Sequence, residues 1–379
     1  MHELANLMGD DGLKAKIDEG KGVVSLEGTL DLMVRANVFA RCAGRVLLQL
    51  ARWENIESEA DLIEALSAVP FEERLDAKGT LAIEAHLRDC AWTHEHFAAQ
   101  RVKDVIVDRL RSLGLGRPDV DTKRPSLKFV LHWERTTATL SLDTSGDSLH
   151  MRGYRAGVEG VAPMKETLAA SILAIGHADV DRPFLDPCCG TGTLAIEQAW
   201  RALRRAPGRD RRFAFERWSK RPPEIDRAVA LARTEAKELE RRELSAPIAL
   251  SDWHQDAVDA ATTCIAQAGL SNILRVERVD ARKAPIPADR PVICSNLPFG
   301  ERLAPGSENR LQLEGFYRTL GARLREVPDA RILLFSGYQA TRGLLDIDQA
   351  ALRTSKWRLK SGALDATLFR WDLRGADGA

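Results

Sequence analysis

Residues 184–197 read Phe184-Leu185-Asp186-Pro187-Cys188-Cys189-Gly190-Thr191-Gly192-Thr193-Leu194-Ala195-Ile196-Glu197. An apolar run ends on an acid, a glycine-bearing turn follows, and a helix-forming segment begins. Such a turn lets a ligand approach backbone at Gly190 and Gly192, where a side chain would collide, and offers the N–H groups of the new helix as donors. That is a nucleotide-binding geometry. Gly190, Gly192 and Ala195 also satisfy GxGxxA, so a dinucleotide site is one reading, but this fingerprint alone is weak, and its acid about 20 residues on is replaced by an Arg-rich stretch. Asp186-Pro187 at the strand tip suits a positively charged ligand better than a pyrophosphate. S-adenosylmethionine, with its sulfonium, amino group, ribose diol and adenine, is such a ligand.

Working outward, short apolar strands alternate with amphipathic helices from about Pro163 onward, the pattern of a parallel sheet with crossover helices. Strands are expected at 184–186, 247–250, 274–279, 292–295 and 331–335. Segments 356–359 and 366–371 have no helix between them and should close the sheet as an antiparallel hairpin around Ser361-Gly362. Asp252 and Asp280 follow the second and third strands, placed to accept from ribose hydroxyls and from the adenine amino group. The fourth strand runs into Asn296-Leu297-Pro298-Phe299-Gly300-Glu301-Arg302. An amine conjugated to a purine ring is a poor nucleophile and must be held by acceptors so that its lone pair points at a methyl carbon. Asn296 Oδ1 and the Leu297 carbonyl can supply two acceptors, Pro298 stiffens the turn and Phe299 can stack on an extruded base.

The 379 residues include 55 Lys plus Arg and 55 Asp plus Glu, so no global field draws the protein to nucleic acid or membrane, and a polyanion partner must be held by a local patch. Hydrophobic residues make up 44%, the composition of a folded chain long enough for two or three domains. Six cysteines lack repeated CxxC spacing, which predicts reduced thiols in a cytoplasm, without disulfides and without a metal site. His94-Glu95-His96 does not alter that, since histidines two apart do not share a helix face. No leader and no run of about 18 apolar residues is found, so no membrane association is expected.

The front part mixes helical patterns (29–50, 59–68, 102–113) with strand patterns at 81–85, 128–133 and 138–142, an α+β texture. Later, residues 201–221 hold nine basic residues against Asp210 and Glu216, with Phe213, Phe215 and Trp218 interleaved. Charge for phosphates and flat rings for stacking make an RNA-contacting insertion one reading. A solvated insertion whose aromatics pack back on the sheet is the other. Arg211 and Arg212 are its candidate RNA contacts, beside Lys103, Arg109, Lys123, Arg124, Arg152, Tyr154 and Arg155.

DPCCGTGT at 186–193 and NLPFG at 296–300, in this order and spacing, resemble the motifs of class I S-adenosylmethionine-dependent methyltransferases acting on exocyclic amines, usually DPxCGSGT and NPPY or NPPF. With residues 163–170, 140–155 and 102–109, nearly the whole chain resembles the THUMP-containing RNA guanine-N2 methyltransferases, and most of all the bacterial 23S ribosomal RNA (guanine-N2) methyltransferase family in its single-activity form. The resemblance implies a Rossmann-like catalytic domain (158–379) with a mostly parallel seven-stranded sheet and a C-terminal antiparallel hairpin. Before it would come an α+β module, a THUMP RNA-binding domain (51–157) preceded by a ferredoxin-like region (1–50) whose first strand is expected to be short or missing. It also implies Asn296, Leu297, Pro298 and Phe299 as the catalytic turn. For the cofactor it implies Asp186, Pro187, Cys189, Gly190, Thr191, Gly192, Thr193, Asp252, Asp280 and Asn296, with Lys165, Glu166 and Thr167 closing over the methionine moiety. Leu297 stands where proline is commoner, a form shared with related THUMP enzymes acting on transfer RNA. The expected reaction is methylation of guanine N2 in structured RNA, 23S ribosomal RNA first, by a monomer. Transfer RNA guanine, adenine N6 and an inactive RNA-binding assembly factor are the alternatives.

Overall fold

The computed structural model describes residues 15–18, 22–76, 78–158, 164–299, 307–361 and 364–375. The sequence expectations at 1–14, Pro163, Gly300 to Arg302 and Gly362 lie outside the described residues. The chain divides into two compact units, Met1–Leu149 with Pro207–Glu238, and His150–Ala206 with Leu239–Ala379. Among the described residues, no helix is long and apolar enough to cross a membrane.

In the first unit, β1 (Ala15–Asp18) and β2 (Val23–Leu26) form an antiparallel pair, followed by α1 (Leu30–Phe39). Then come β3 (Leu47–Trp53), α2 (Glu59–Ser67), β4 (Thr80–Arg88), α3 (Glu95–Ser112), β5 (Asp119–Val120), β6 (Leu127–Glu134) and β7 (Thr137–Asp143). Their sheet order is β3-β7-β6-β4-β5. The helix expected over 29–50 stops at Phe39, and its last four residues begin β3, paired antiparallel to β7. Leu47, Leu48 and Leu50 satisfy either period, and the unpaired edge of β7 decides between them, because a sheet partner satisfies both backbone and side chains. Helix α2 starts as sequence chemistry dictates: Ser58 and Asp61 cap one another's backbone N–H. Helix α3 begins about two turns before the expected 102, at Glu95.

The Arg-rich insertion does not return to the parallel sheet. Residues 207–238 belong to the first unit. Phe213, Phe215 and Trp218 are buried there, with Phe213 stacked on Phe215 at 5.3 Å. Gly208 N–H donates to the Val38 carbonyl at 2.8 Å, and a Cβ on Gly208 would lie 2.5 Å from the Asn37 carbonyl. Asn37 is itself buried and fully used: Nδ2 donates to Met33 O and Thr144 Oγ1, while Oδ1 accepts from Ser145 Oγ. The aromatics are therefore core, not stacking platforms, and their core is that of the front unit.

The second unit holds α4 (Glu166–Ile175), β8 (Phe184–Asp186) and α5 (Thr193–Ala202). After α6 (Pro223–Glu238), which packs with α1 in the first unit, it continues with β9 (Ile248–Asp252), α7 (Gln255–Gln267), β10 (Val276–Arg278), β11 (Val292–Asn296), α8 (Ser307–Arg325), β12 (Arg331–Ser336), α9 (Thr341–Leu345), β13 (Ala351–Ser361) and β14 (Leu364–Leu373). The seven strands run β10-β9-β8-β11-β12-β14-β13, all parallel except β14, which is antiparallel to both its neighbours. Each expected strand is present, and the hairpin strands are longer than their sequence pattern suggested. Strand residues alternate between two cores, as burial on both faces requires. Val292, Cys294, Leu333 and Phe335 join Ile172, Ile196 and Ile265 of α4, α5 and α7. Ile293, Ile332 and Leu334 join Tyr317, Leu320 and Leu345 of α8 and α9.

Gly321, inside α8, marks the tightest of these packings. A Cβ there would lie 2.6 Å from Leu345 Cα. Alanine ordinarily gains about 1 kcal/mol over glycine in a helix interior. Here overpacking should reverse the sign, so Gly321→Ala is expected to lower stability by about 1–2 kcal/mol in chemical denaturation. A stabilised variant would disprove the contact.

Candidate functional site

Three adjacent strands, β9, β8 and β11, bring Asp252, Asp186 and Asn296 to one end of the sheet. Asp186 is buried, and its Oδ1 accepts from Ser295 Oγ at 2.6 Å. That same Ser295 oxygen accepts from Cys188 N–H at 3.1 Å, so one hydroxyl ties the end of β11 to the turn leaving β8. Asp186 Oδ2 is buried with no hydrogen-bond partner among the described residues, as are Ser251 Oγ and Asn296 Oδ1. Buried polar atoms are nearly always satisfied, so three orphans on three neighbouring strand ends mark a place shaped for a ligand's donors.

The turn after Asp186 is built for close approach. Gly190 (φ 54°) and Gly192 (φ 76°) are left-handed, and a Cβ on Gly190 would meet nothing within 4 Å. Gly192 caps α5, and Thr191 and Thr193 share a hydroxyl–hydroxyl bond of 3.0 Å. Gly190 N–H donates to Asp252 Oδ2 at 2.9 Å, and His254 N–H donates to Asp252 Oδ1 at 3.0 Å, fixing that carboxylate over the turn. Burial pushes the thiols of Cys188 and Cys189 well up, which keeps both protonated and unreactive. Trp253, missed by the sequence reading, is 59% exposed next to Asp252 and lies under the Arg278 guanidinium. Asp280 departs from expectation: Arg282 grips its carboxylate in a fork and holds its pKa down. Its acceptors are already occupied by a cation, so an amino group would have to share or displace Arg282.

The Asn296 to Phe299 turn has support that sequence inspection did not find. Leu297 N–H donates to the Phe335 carbonyl at 3.0 Å, and its side chain is buried. The Tyr317 hydroxyl donates to the Pro298 carbonyl at 2.9 Å and bonds Ser336 Oγ at 2.9 Å. A Cβ on Gly337 would lie 2.8 Å from the half-buried Phe299 ring, so glycine is needed for the ring to sit there. Ser295 and Ser251 each stand one residue before a strand-tip acceptor, a signal that was legible; Tyr317, Ser336 and Gly337 are distant in sequence and carried none.

Several expected contacts are internal instead. Arg152 and Tyr154 are buried, and Arg152 Nε and the Tyr154 hydroxyl both donate to Glu197 Oε1. Arg155 forks onto Glu166 and also donates to Met164 O. Arg152, Tyr154 and Arg155, expected as RNA contacts, and Glu166, expected at the cofactor, thus use these side-chain atoms on internal partners. Lys165 is exposed and Thr167 half-buried beside it. Arg109 holds Glu72 and the Ser67 carbonyl, and Arg211 donates to the Ser148 and Asp147 carbonyls, so both brace the front unit. Lys103 pairs with Asp104, while Lys123, Arg124 and Arg212 are exposed. Basic residues were overvalued because a sequence does not reveal which carboxylate or carbonyl folds onto them.

Burial raises the Asp186 pKa from 3.8 to about 7. Between these values the folded chain keeps a proton that the unfolded chain has lost, so stability falls as pH rises through about 4 to 7. At 1.36 kcal/mol per unit the loss is about 4 kcal/mol at most. Asp186→Asn should remove this slope and leave the ligand-free protein more stable than wild type at pH 8, as read by urea denaturation across that range. An unchanged pH dependence would show that Asp186 is not the buried acid described.

Residues 152–366 match the description RMKL-like, methyltransferase domain; residues 57–143 match the THUMP domain and residues 4–47 the RlmL ferredoxin-like domain. The "Ribosomal RNA large subunit methyltransferase K/L" of Syntrophotalea carbinolica is 37% identical over 94% of this chain and 50% of its own length. The chain thus spans about half the length of the K/L relatives it matches. The "Putative RNA methyltransferase slr0064" of Synechocystis sp. is 31% identical over 92% of this chain and 88% of its own. Among solved structures, "SMU.472, a putative methyltransferase complexed with SAH" shares the fold, with a TM-score of 0.84, 24% identity, and coverage of 99% of this chain and 94% of that one. On these matches, over more than half its length, the chain belongs to the RMKL-like methyltransferase family, with a THUMP domain and an RlmL-type ferredoxin-like region ahead of the catalytic part.

Proposed function

We propose that the protein transfers a methyl group from S-adenosylmethionine to the exocyclic N2 of a guanine in structured RNA, with 23S ribosomal RNA as the substrate class. The reading divides the chain into a ferredoxin-like region (1–50), a THUMP RNA-binding domain (51–157) and a catalytic domain (158–379). The observation that carries it is the set of buried acceptors without donors, Asp186 Oδ2, Ser251 Oγ and Asn296 Oδ1, on consecutive strand ends beside an open glycine turn. Their chemistry fits both reactants: Asp186 offers an anionic or neutral oxygen for the cofactor's ammonium, Asp252 an acidic pair of oxygens for its ribose diol, Gly190 room where any side chain would intrude, and Asn296 an oxygen for the acceptor amine. Asp186 and the main chain of Cys189 to Thr193 would hold the methionine part and Asp252 the ribose. Trp253, and Asp280 in exchange with Arg282, would flank the adenine. Lys165 and Thr167 would border the methionine part. Bound there, S-adenosylmethionine supplies an electrophilic methyl carbon.

The chain's own work is to orient and desolvate the amine. Asn296 Oδ1 is buried and has no hydrogen-bond partner among the described residues, so it gains a strong bond from an N–H that reaches it. With the Leu297 carbonyl it would hold both protons of the amine and leave the nitrogen lone pair directed at the methyl carbon, without a general base. Phe299, seated on Gly337, offers a ring for a base turned out of its stack. Tyr317 braces the Pro298 carbonyl and keeps the turn rigid.

Asn296→Ala should lower kcat for methyl transfer at least about 100-fold, as removal of one preorganised polar contact does elsewhere, while calorimetric cofactor binding changes little. Asp252→Ala should weaken cofactor binding about 10-fold or more, the worth of a charged hydrogen bond. Labelled-methyl incorporation into bare 23S ribosomal RNA and transfer RNA, followed by digestion to nucleosides, identifies the acceptor. N2-methylguanosine from ribosomal RNA is the expected product. No incorporation by cofactor-binding protein, or label in adenine, would overturn the reading.

A further inference from the structure

The catalytic sheet ends on an edge strand, β13, whose outer positions are basic. Lys356, Arg358 and Lys360 are exposed, while the intervening Trp357 and Leu359 pack against the core. Residues two apart on a strand share a face at a spacing of about 6.7 Å. Three cations thus stand in a row on one face, with exposed Thr354 continuing it. Their cross-strand partners are Phe369, Thr367 and Asp365, so a carboxylate faces Lys360 but none faces Lys356 or Arg358. Among the described residues, neither of those two cations makes an ion pair.

The register places this row at the height of the catalytic rim, on the sheet face opposite to that of Trp357 and Asn296. Strand β13 runs antiparallel to β14, which runs antiparallel to β12, so β13 is parallel to β11 and β12 and ends at the same side of the sheet. Asn296 pairs with Phe335, Phe335 with Leu368, and Leu368 with Trp357. Trp357 is therefore level with Asn296 three strands away, about 14 Å at ordinary strand spacing. Lys356 lies just below that level, Arg358 just above it, and Lys360 beyond it.

We infer that the exposed face of β13 is an RNA-backbone contact of the catalytic unit, with Lys356 and Arg358 holding phosphates of the strand that presents its base at Asn296. The inference rests on the RNA-methylation reading above. It adds where the substrate strand is gripped next to the chemistry, a task the sequence-based candidates Arg152, Tyr154 and Arg155 cannot perform because they are spent on internal partners. Lysines on an edge strand also guard against strand addition by other chains. The two roles separate experimentally, since a glutamate guards an edge as well as a lysine but repels phosphate.

The test uses the full chain, wild type and two double variants, Lys356→Glu with Arg358→Glu and Lys356→Gln with Arg358→Gln. Binding of a labelled 23S ribosomal RNA fragment is measured by anisotropy between 50 and 200 mM salt, with duplex DNA as control. Both variants should melt like wild type and bind cofactor normally. The glutamate pair should weaken RNA binding at least tenfold and raise KM for RNA with little change in kcat. The glutamine pair should reduce the salt slope by about 1.4, two single-strand phosphate contacts at about 0.7 each. Unchanged affinity and slope in both variants, no RNA binding by wild type, or equal loss of DNA binding would overturn the inference. The binding arm needs no turnover: wild type that binds RNA through these residues but transfers no methyl would overturn the function reading and leave the contact standing.

Discussion

The active end of the sheet is organised around one buried carboxylate. Asp186 sits where β8 ends, and through Ser295 Oγ it is linked to the end of β11 and to the backbone of the turn that follows it. That single hydroxyl coordinates the two halves of the site, the glycine turn and the Asn296 turn, which are more than a hundred residues apart in sequence. A carboxylate is costly to bury, and here the cost is only partly met: one oxygen is bonded and the other is not. The acid accordingly titrates near neutrality instead of near 4. A structure optimised for stability alone would not place it there, and a cationic ligand would satisfy it.

A second constraint is rigidity of the turn that follows β11. For the proposed transfer to a weakly nucleophilic amine, acceptors must be held in fixed positions, since misplacement by an ångström forfeits much of the gain from orientation. The chain meets this need with a buried hydroxyl cluster, Tyr317, Ser336 and Thr341, that anchors the Pro298 carbonyl, and with a glycine at 337 that leaves room for the Phe299 ring. Leucine at position 297 is compensated in the same way: its side chain enters the α8 core and its N–H joins β12. The loss of a proline is thus offset by packing.

The distribution of charge follows a related logic. With equal numbers of acids and bases, most arginines in this chain are used as structural clamps: Arg155 on Glu166, Arg152 on Glu197, Arg109 on Glu72, and Arg205 on Glu240. Guanidinium groups suit this work because their planar donors match carboxylates and carbonyls. Cations without such partners among the described residues, as at Lys356 and Arg358, are therefore the informative ones.

From the sequence alone, the strand–turn–helix at 184–197, the acids after successive strands and the Asn296 turn were all readable, because each is a local pattern whose backbone chemistry requires those residue types. The alternation of short apolar strands with helices likewise determined the parallel sheet and its terminal hairpin. Tertiary structure decided what depends on partners distant in the chain: that 47–53 is a strand, because β7 needed an edge partner; that the aromatics of the Arg-rich insertion are core; that Asp280 is held by Arg282; and that Arg152, Tyr154 and Arg155 point inward. Local propensity and spacing are properties of a segment, whereas the ionisation, pairing and exposure of a charged side chain are properties of what folds against it.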